Sequence, residues 1–140
     1  MQELNFGDGL VTYTVNGKCE VSFNPTDSNF VERLYLAFED LDKKQEGYKT
    51  QIEKMGDKKL IFEFARDRDK EMREIIDAVF GAHIADDLFG GMNVYALAEG
   101  VPVWCNFMLA VMDEIDNTFS REQKFTNPRI KKYLDKVQKH

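Results

Sequence analysis

Cysteine is nearly absent from this 140-residue chain: Cys19 and Cys105 stand far apart in different segments. No CxxC pair or close Cys/His spacing exists, which excludes a dithiol redox motif and a metal knuckle. Both thiols read as small buried hydrophobes of a reducing compartment. Histidine is equally scarce, with only His83 and the terminal His140. A long apolar run is missing too. The longest, Val101–Met112, is broken only by Pro102 and Asn106 and falls short of the roughly 20 residues that a membrane-spanning helix needs. The N-terminus "MQELNFGDGL" has neither the basic head nor the apolar stretch of a secretory signal. The expected location is the cytoplasm. The glycines of "FGDG" and "FGG" lack the spacing and the Lys-Ser/Thr partner of a phosphate loop.

What is present fits a globular protein. Hydrophobic residues make up 43% and charged residues 31%, which argues against wholesale disorder. The length predicts one domain over residues 1–140, with a core that needs no disulfide or metal. Charge is split along the chain. Residues 121–140 carry seven basic side chains against Glu122 and Asp135, a net of +5; the total of −6 therefore leaves −11 on the first 120 residues. An acidic body disfavours nucleic acid as a partner. The basic tail reads first as a solvated surface helix, and second as a contact for weak head-to-tail self-association or for an acidic partner.

Periodicity predicts a mainly α fold with an N-terminal β-hairpin. "LVTYTV" and "KCEVSF" flank Asn16-Gly17, the dipeptide of a two-residue turn with positive φ, which predicts a hairpin over residues 10–23. The helical body spans 25–139. Its first helix is capped by Asn24, Asp27 or Ser28, carries Phe30, Val31, Leu34, Phe38 and Leu41 on one face, and extends through Tyr48 and Ile52 to about Met55, with Gly47 a weak point. "LIFEF" (60–64) reads as either a strand or a helix start. The helix that follows ends at Gly81, and its sign-alternating middle, Arg66 to Glu74, is expected to face solvent. Gly90-Gly91 is the expected flexible joint. A central apolar helix occupies about 101–119, with Pro102 in its first turn and a stripe of Trp104, Met108, Val111, Ile115 and Phe119. The final helix, 128–139, is capped by Asn127 and basic on most faces. Its narrow edge of Ile130, Tyr133, Leu134 and Val137 is expected to dock on the body.

No catalytic set stands out. His83 and Asp87 at i, i+4 are two ligands of one short helix, too few for a metal, and no metal or cofactor is expected. A Cys105–His83 nucleophile pair would need an exposed thiolate, and Cys105 lies in the most apolar stretch of the chain. Glu39, Asp40 and Asp42 fall on an outward face, where they gain no acid–base role. The expectation is a protein without enzymatic activity.

The segments "FNPTDSNFVERL", "RDRDKEMREIIDAVFG", "DLFGGMNVYALAEGVPVWCNFMLAVMDEI" and "NPRIKKYL", after the Asn-Gly hairpin, resemble tail assembly chaperones and tail-region proteins of long-tailed phages and prophages of Gram-positive bacteria. The resemblance runs from Val15 to Leu134 and is most characteristic at "IIDAVFG…LFGG…N". It implies a mostly helical protein in the cytoplasm of the bacterial host, which binds the phage tape-measure protein and keeps its long apolar helix soluble until the tail tube forms. It brings no catalytic residues. The candidate partner contacts are Phe107, Met108 and Met112 on the apolar helix, an adaptable surface to which Met92 adds, and Arg129, Lys131, Lys132, Tyr133 and Lys136 on the basic helix. The same Met and Phe side chains equally suit the core. The alternative function is an acidic phage-encoded inhibitor that occupies a basic channel of a host defence or metabolic enzyme.

Overall fold

The structure, a computed structural model, describes residues 1–124 and 128–138, the side chains of Lys131, Val137 and Gln138 excepted. It is mainly α with an N-terminal hairpin, in the order β1 (Val11–Val15), β2 (Cys19–Phe23), α1 (Ser28–Lys54), α2 (Lys58–Phe80), α3 (Ala85–Phe89), β3 (Leu97–Ala98), β4 (Val101–Pro102), α4 (Val103–Lys124) and α5 (Pro128–Gln138). Among the described residues, no helix is long and apolar enough to cross a membrane.

Asn16 and Gly17 both adopt positive φ (51° and 66°), as the hairpin turn requires. Val15 pairs with Cys19 rather than Lys18, so the loop is three residues long instead of two, closed by the Lys18 amide donating to the Val15 carbonyl. The alternation of β2 turns Val21 and Phe23 into the core. Of the three candidate caps, Asp27 caps α1 by accepting from the Asn29 amide, while Asn24 folds back on Thr26 in a local turn. The helix then runs unbroken through Gly47. "LIFEF" resolves as helix, because Asp57 caps α2 just ahead of it, accepting from the Lys59 amide at 2.9 Å. Gly81, with φ of 66°, ends α2 in the left-handed conformation that the sequence pattern predicts.

The apolar helix starts two residues later than expected. Val101 and Pro102 form β4, which pairs with β3 through the Glu99-Gly100 turn, where both φ values are positive. The first free amides of α4 are then taken by the residues that lead into this hairpin: Val103 donates to the Ala96 carbonyl at 2.8 Å and Trp104 to the Val94 carbonyl at 3.2 Å. Trp104, Met108, Val111 and Ile115 are buried as the stripe predicts, but Phe119 is 47% exposed and Thr118 takes the inward place. The helix itself continues to Lys124.

One cluster of buried side chains runs from the hairpin through α1, α2 and α3 to α4. Its spine is aromatic. Tyr13 stacks on Phe23 and Phe23 on Phe30, each at 4.9 Å, and Phe80 joins Phe30 (5.3 Å) to Phe107 (5.4 Å), which meets Phe89 at 6.2 Å. Such pairs add about 0.5–1.5 kcal/mol each beyond the area that they bury.

The last helix departs from expectation. Ile130, Tyr133 and Leu134 are 62%, 58% and 56% exposed, so the edge that was to dock on the body is open. The Asn127 cap and the side chains of Lys131, Val137 and Lys139 lie outside the described residues. Truncation separates the two kinds of apolar position on α4. Trp104→Ala and Met108→Ala should each lower the unfolding free energy by about 2–5 kcal/mol, whereas Phe119→Ala should stay within about 0.5 kcal/mol. Urea unfolding of the three variants checks this.

Candidate partner-binding groove

The middle of α2 carries the polar side chains that place everything after it. Asp69, Arg73 and Asp77 follow one another at four-residue spacing and so share one face. Asp77 accepts from the amides of Ile84 and Ala85 at 2.9 Å each, capping α3, whose own cap position, Ile84, supplies no side-chain bond. Arg73 donates to Asp69 (3.0 Å), to Asp86 (2.8 Å) and to the carbonyls of Gly90 and Met92 (2.8 Å each). Asp69 also accepts from the Val94 amide at 2.8 Å. One turn earlier on α2, the Ala65 carbonyl accepts from Asn93 at 3.1 Å. The expectation that Arg66 to Glu74 is a solvated face is therefore corrected at Asp69 and Arg73, which are largely covered by the segment that they hold. Gly90-Gly91 is likewise a tethered turn rather than a free joint.

Held in this way, the β3–β4 hairpin forms one wall of an open groove of about 840 Å³. Tyr48 and Ile52 of α1 form the second wall and Phe64 of α2 the third, with Tyr95, Leu97 and Pro102 on the hairpin side. Tyr48 and Phe64 meet edge to face at 5.6 Å, and the Arg68 guanidinium lies 4.8 Å and 5.0 Å from their ring centres. Glu71 anchors that cation at 3.4 Å and accepts from Lys44 and the Tyr48 hydroxyl at the same distance. Arg68 Nε finds no hydrogen-bond partner among the described residues, and the two rings face its charge instead. Burial pushes the Tyr95 hydroxyl well above the usual phenol range, so the groove stays uncharged at that wall. Leu97, 74% exposed, and Ile52, 39% exposed, present apolar surface at the rim beside Glu46, Lys49 and Glu53.

None of the seven candidate contact residues whose side chains are described lines this groove. Met108 is fully buried, Phe107 packs between Phe80 and Phe89, and Met112 is half-buried against the core. Arg129, Lys132, Tyr133 and Lys136 are exposed on α5, and the Lys131 side chain lies outside the described residues. The α4 and α5 sets are thus not brought into one surface. Tyr48, Ile52 and Phe64 were visible in the sequence only as continuations of core faces. Their length gave the clue, since α1 and α2 carry apolar residues farther than the buried cluster extends.

The two side chains weighed in the sequence as a nucleophile pair, Cys105 and His83, sit in different surroundings. Burial raises the Cys105 thiol to about 11, so it stays protonated at neutral pH. His83 is fully exposed, precedes α3 rather than pairing with Asp87 on it, and has Asp77 at 3.6 Å. Among the described residues, no three His, Cys, Asp or Glu side chains converge on one point. Comparison of the chain with protein-family models, with curated proteins and with solved structures finds no match.

Two outcomes follow. Asp69→Ala should cost about 1–3 kcal/mol by leaving the Val94 amide unpaired, and should speed its hydrogen exchange, read by NMR or mass spectrometry. Iodoacetamide at mildly alkaline pH, below the raised value of about 11, should leave Cys105 unmodified in the native protein and label it in urea, as intact mass will show.

Proposed function

We propose that the protein is a non-catalytic helix-binding chaperone that holds an apolar helix of a longer partner in the groove between α1, α2 and the β3–β4 hairpin. The groove carries this reading. It is open, lined by aromatic and aliphatic side chains, and bordered by a few charges, which are the properties that let an amphipathic helix lay down anchors at i, i+3, i+4 and i+7. Its exposed rim allows a partner to enter without opening the core. The resemblance to tail assembly chaperones makes the partner specific: the phage tape-measure protein, a long helix whose apolar face must stay covered until the tail tube surrounds it.

The inhibitor reading draws on the same acidic body but has less support. A mimic of nucleic acid needs carboxylates free to meet a basic channel. Here Glu39, Asp40, Asp69 and Glu71 are paired with Lys43, Lys44, Arg73 and Arg68 of the same chain, which leaves the carboxylates outside such pairs, Asp113 and Asp116 among them, to carry that reading.

Co-expression with the tape-measure protein of the same gene cluster tests the proposal. The partner should become soluble and co-purify. Ile52→Asp with Leu97→Asp should abolish capture while leaving thermal unfolding within a few degrees of the parent, because both side chains sit at the rim. A partner equally soluble alone, or capture untouched by the double change, would overturn it.

A further inference from the structure

Two surfaces of the chain remain open and match each other. The first is the edge of α5, where Ile130, Tyr133 and Leu134 are all more than half exposed. Around it, residues 128–138 hold Arg129, Lys131, Lys132 and Lys136 against Asp135 alone, a net of +3. The second is the outer side of α4. Leu109, Met112, Asp116 and Phe119 fall at i, i+3, i+7 and i+10, within one third of the helix circumference, and Asp113 borders them. Leu109 is 42% exposed and Phe119 47%, and Met112 between them is half-buried against the core. Between Leu109 and Ser120 the helix carries Asp113, Glu114 and Asp116 and no basic residue. Asp113 and Asp116 form no salt bridge among the described residues. Glu114 is directed elsewhere, accepting from the Tyr13 hydroxyl at 3.1 Å.

We infer that α5 of one chain docks on the outer face of α4 of a second copy, Ile130, Tyr133 and Leu134 against Leu109, Met112 and Phe119, with Lys132 and Lys136 beside Asp113 and Asp116. Both halves are exposed at once in a single chain, so neither serves the other there. Each is amphipathic at helical spacing, as a helix–helix seam needs. Charge selects the occupant: a lysine-flanked apolar edge fits an apolar stripe bordered only by carboxylates, and this chain supplies both. The contact is small and edged by solvated ion pairs, so the association is weak and loosens as salt rises. It uses none of the groove's walls and stands independently of the proposed function.

The test is light scattering coupled to size exclusion on the full chain, at low and high ionic strength over a range of concentrations. At low ionic strength the mass should exceed the 16.3 kDa of one chain, and at high ionic strength it should fall back toward it. Lys132→Glu with Lys136→Glu should give a monomer, and so should Asp113→Lys with Asp116→Lys. Mixing those two variants should restore association, because the acidic α5 of one meets the basic α4 of the other. Circular dichroism checks that each remains folded, and Tyr133→Ser with Leu134→Ser, which alters no charge, should also give a monomer. A parent chain that stays at the mass of one copy throughout overturns the inference. So does a mixture that stays monomeric.

Discussion

The three side chains on one face of α2, Asp69, Arg73 and Asp77, are the constraint on which the second half of the molecule depends. The segment between α2 and α4 contains one short helix and one two-residue ladder, so it can satisfy few of its own backbone groups. Backbone amides and carbonyls withdrawn from water must find partners. Here three amides and two carbonyls find them on a single helix face. Hydrogen bonds to charged groups contribute about 1.5–3 kcal/mol each, and they fix a segment whose Ile84, Ala85, Leu88 and Val94 are buried in the core. The placement of α3, the hairpin wall of the groove and the start of α4 all follow from it.

How much of this was legible depends on the range of the interaction. The Asn16-Gly17 turn, the Gly81 stop and the Trp104–Ile115 stripe are local patterns, and each appears in the structure. The charged middle of α2 was misread because alternating sign normally marks a solvated face, and nothing local distinguishes a carboxylate that binds water from one that binds the Val94 amide 25 residues later. Pro102 was misplaced for a similar reason. Proline suits a first helical turn, but Glu99-Gly100 makes a tight reversal that pairs Val101-Pro102 with Leu97-Ala98 instead. The basic helix was correct in kind and wrong in contact, since an amphipathic period says that a face wants cover without saying whose.

The candidate site follows the same division. Phe107 and Met108 were chosen for their chemistry, yet the width of the apolar arc at the start of α4 places them inside. The surface that remains open is built by side chains past the ends of the core: Tyr48 and Ile52 late in α1, Phe64 early in α2, and Leu97 at the hairpin. The aromatic spine from Tyr13 to Phe89 fixes the body, and the apolar groove lies beyond it.

The tethers of α2 also bear on the order of assembly. Asp77 reaches 7 and 8 residues ahead, Arg73 17 and 19, and Asp69 25, whereas the Tyr13–Glu114 bond spans 101. Contacts between near neighbours in sequence close first, since the loop entropy that they must overcome is smaller. The unit from Lys58 to Trp104, groove wall included, can therefore close ahead of the longer Tyr13–Glu114 tie. The N-terminal hairpin has a shorter tie as well, Phe23 stacked on Phe30, and only its Tyr13–Glu114 bond must wait for α4.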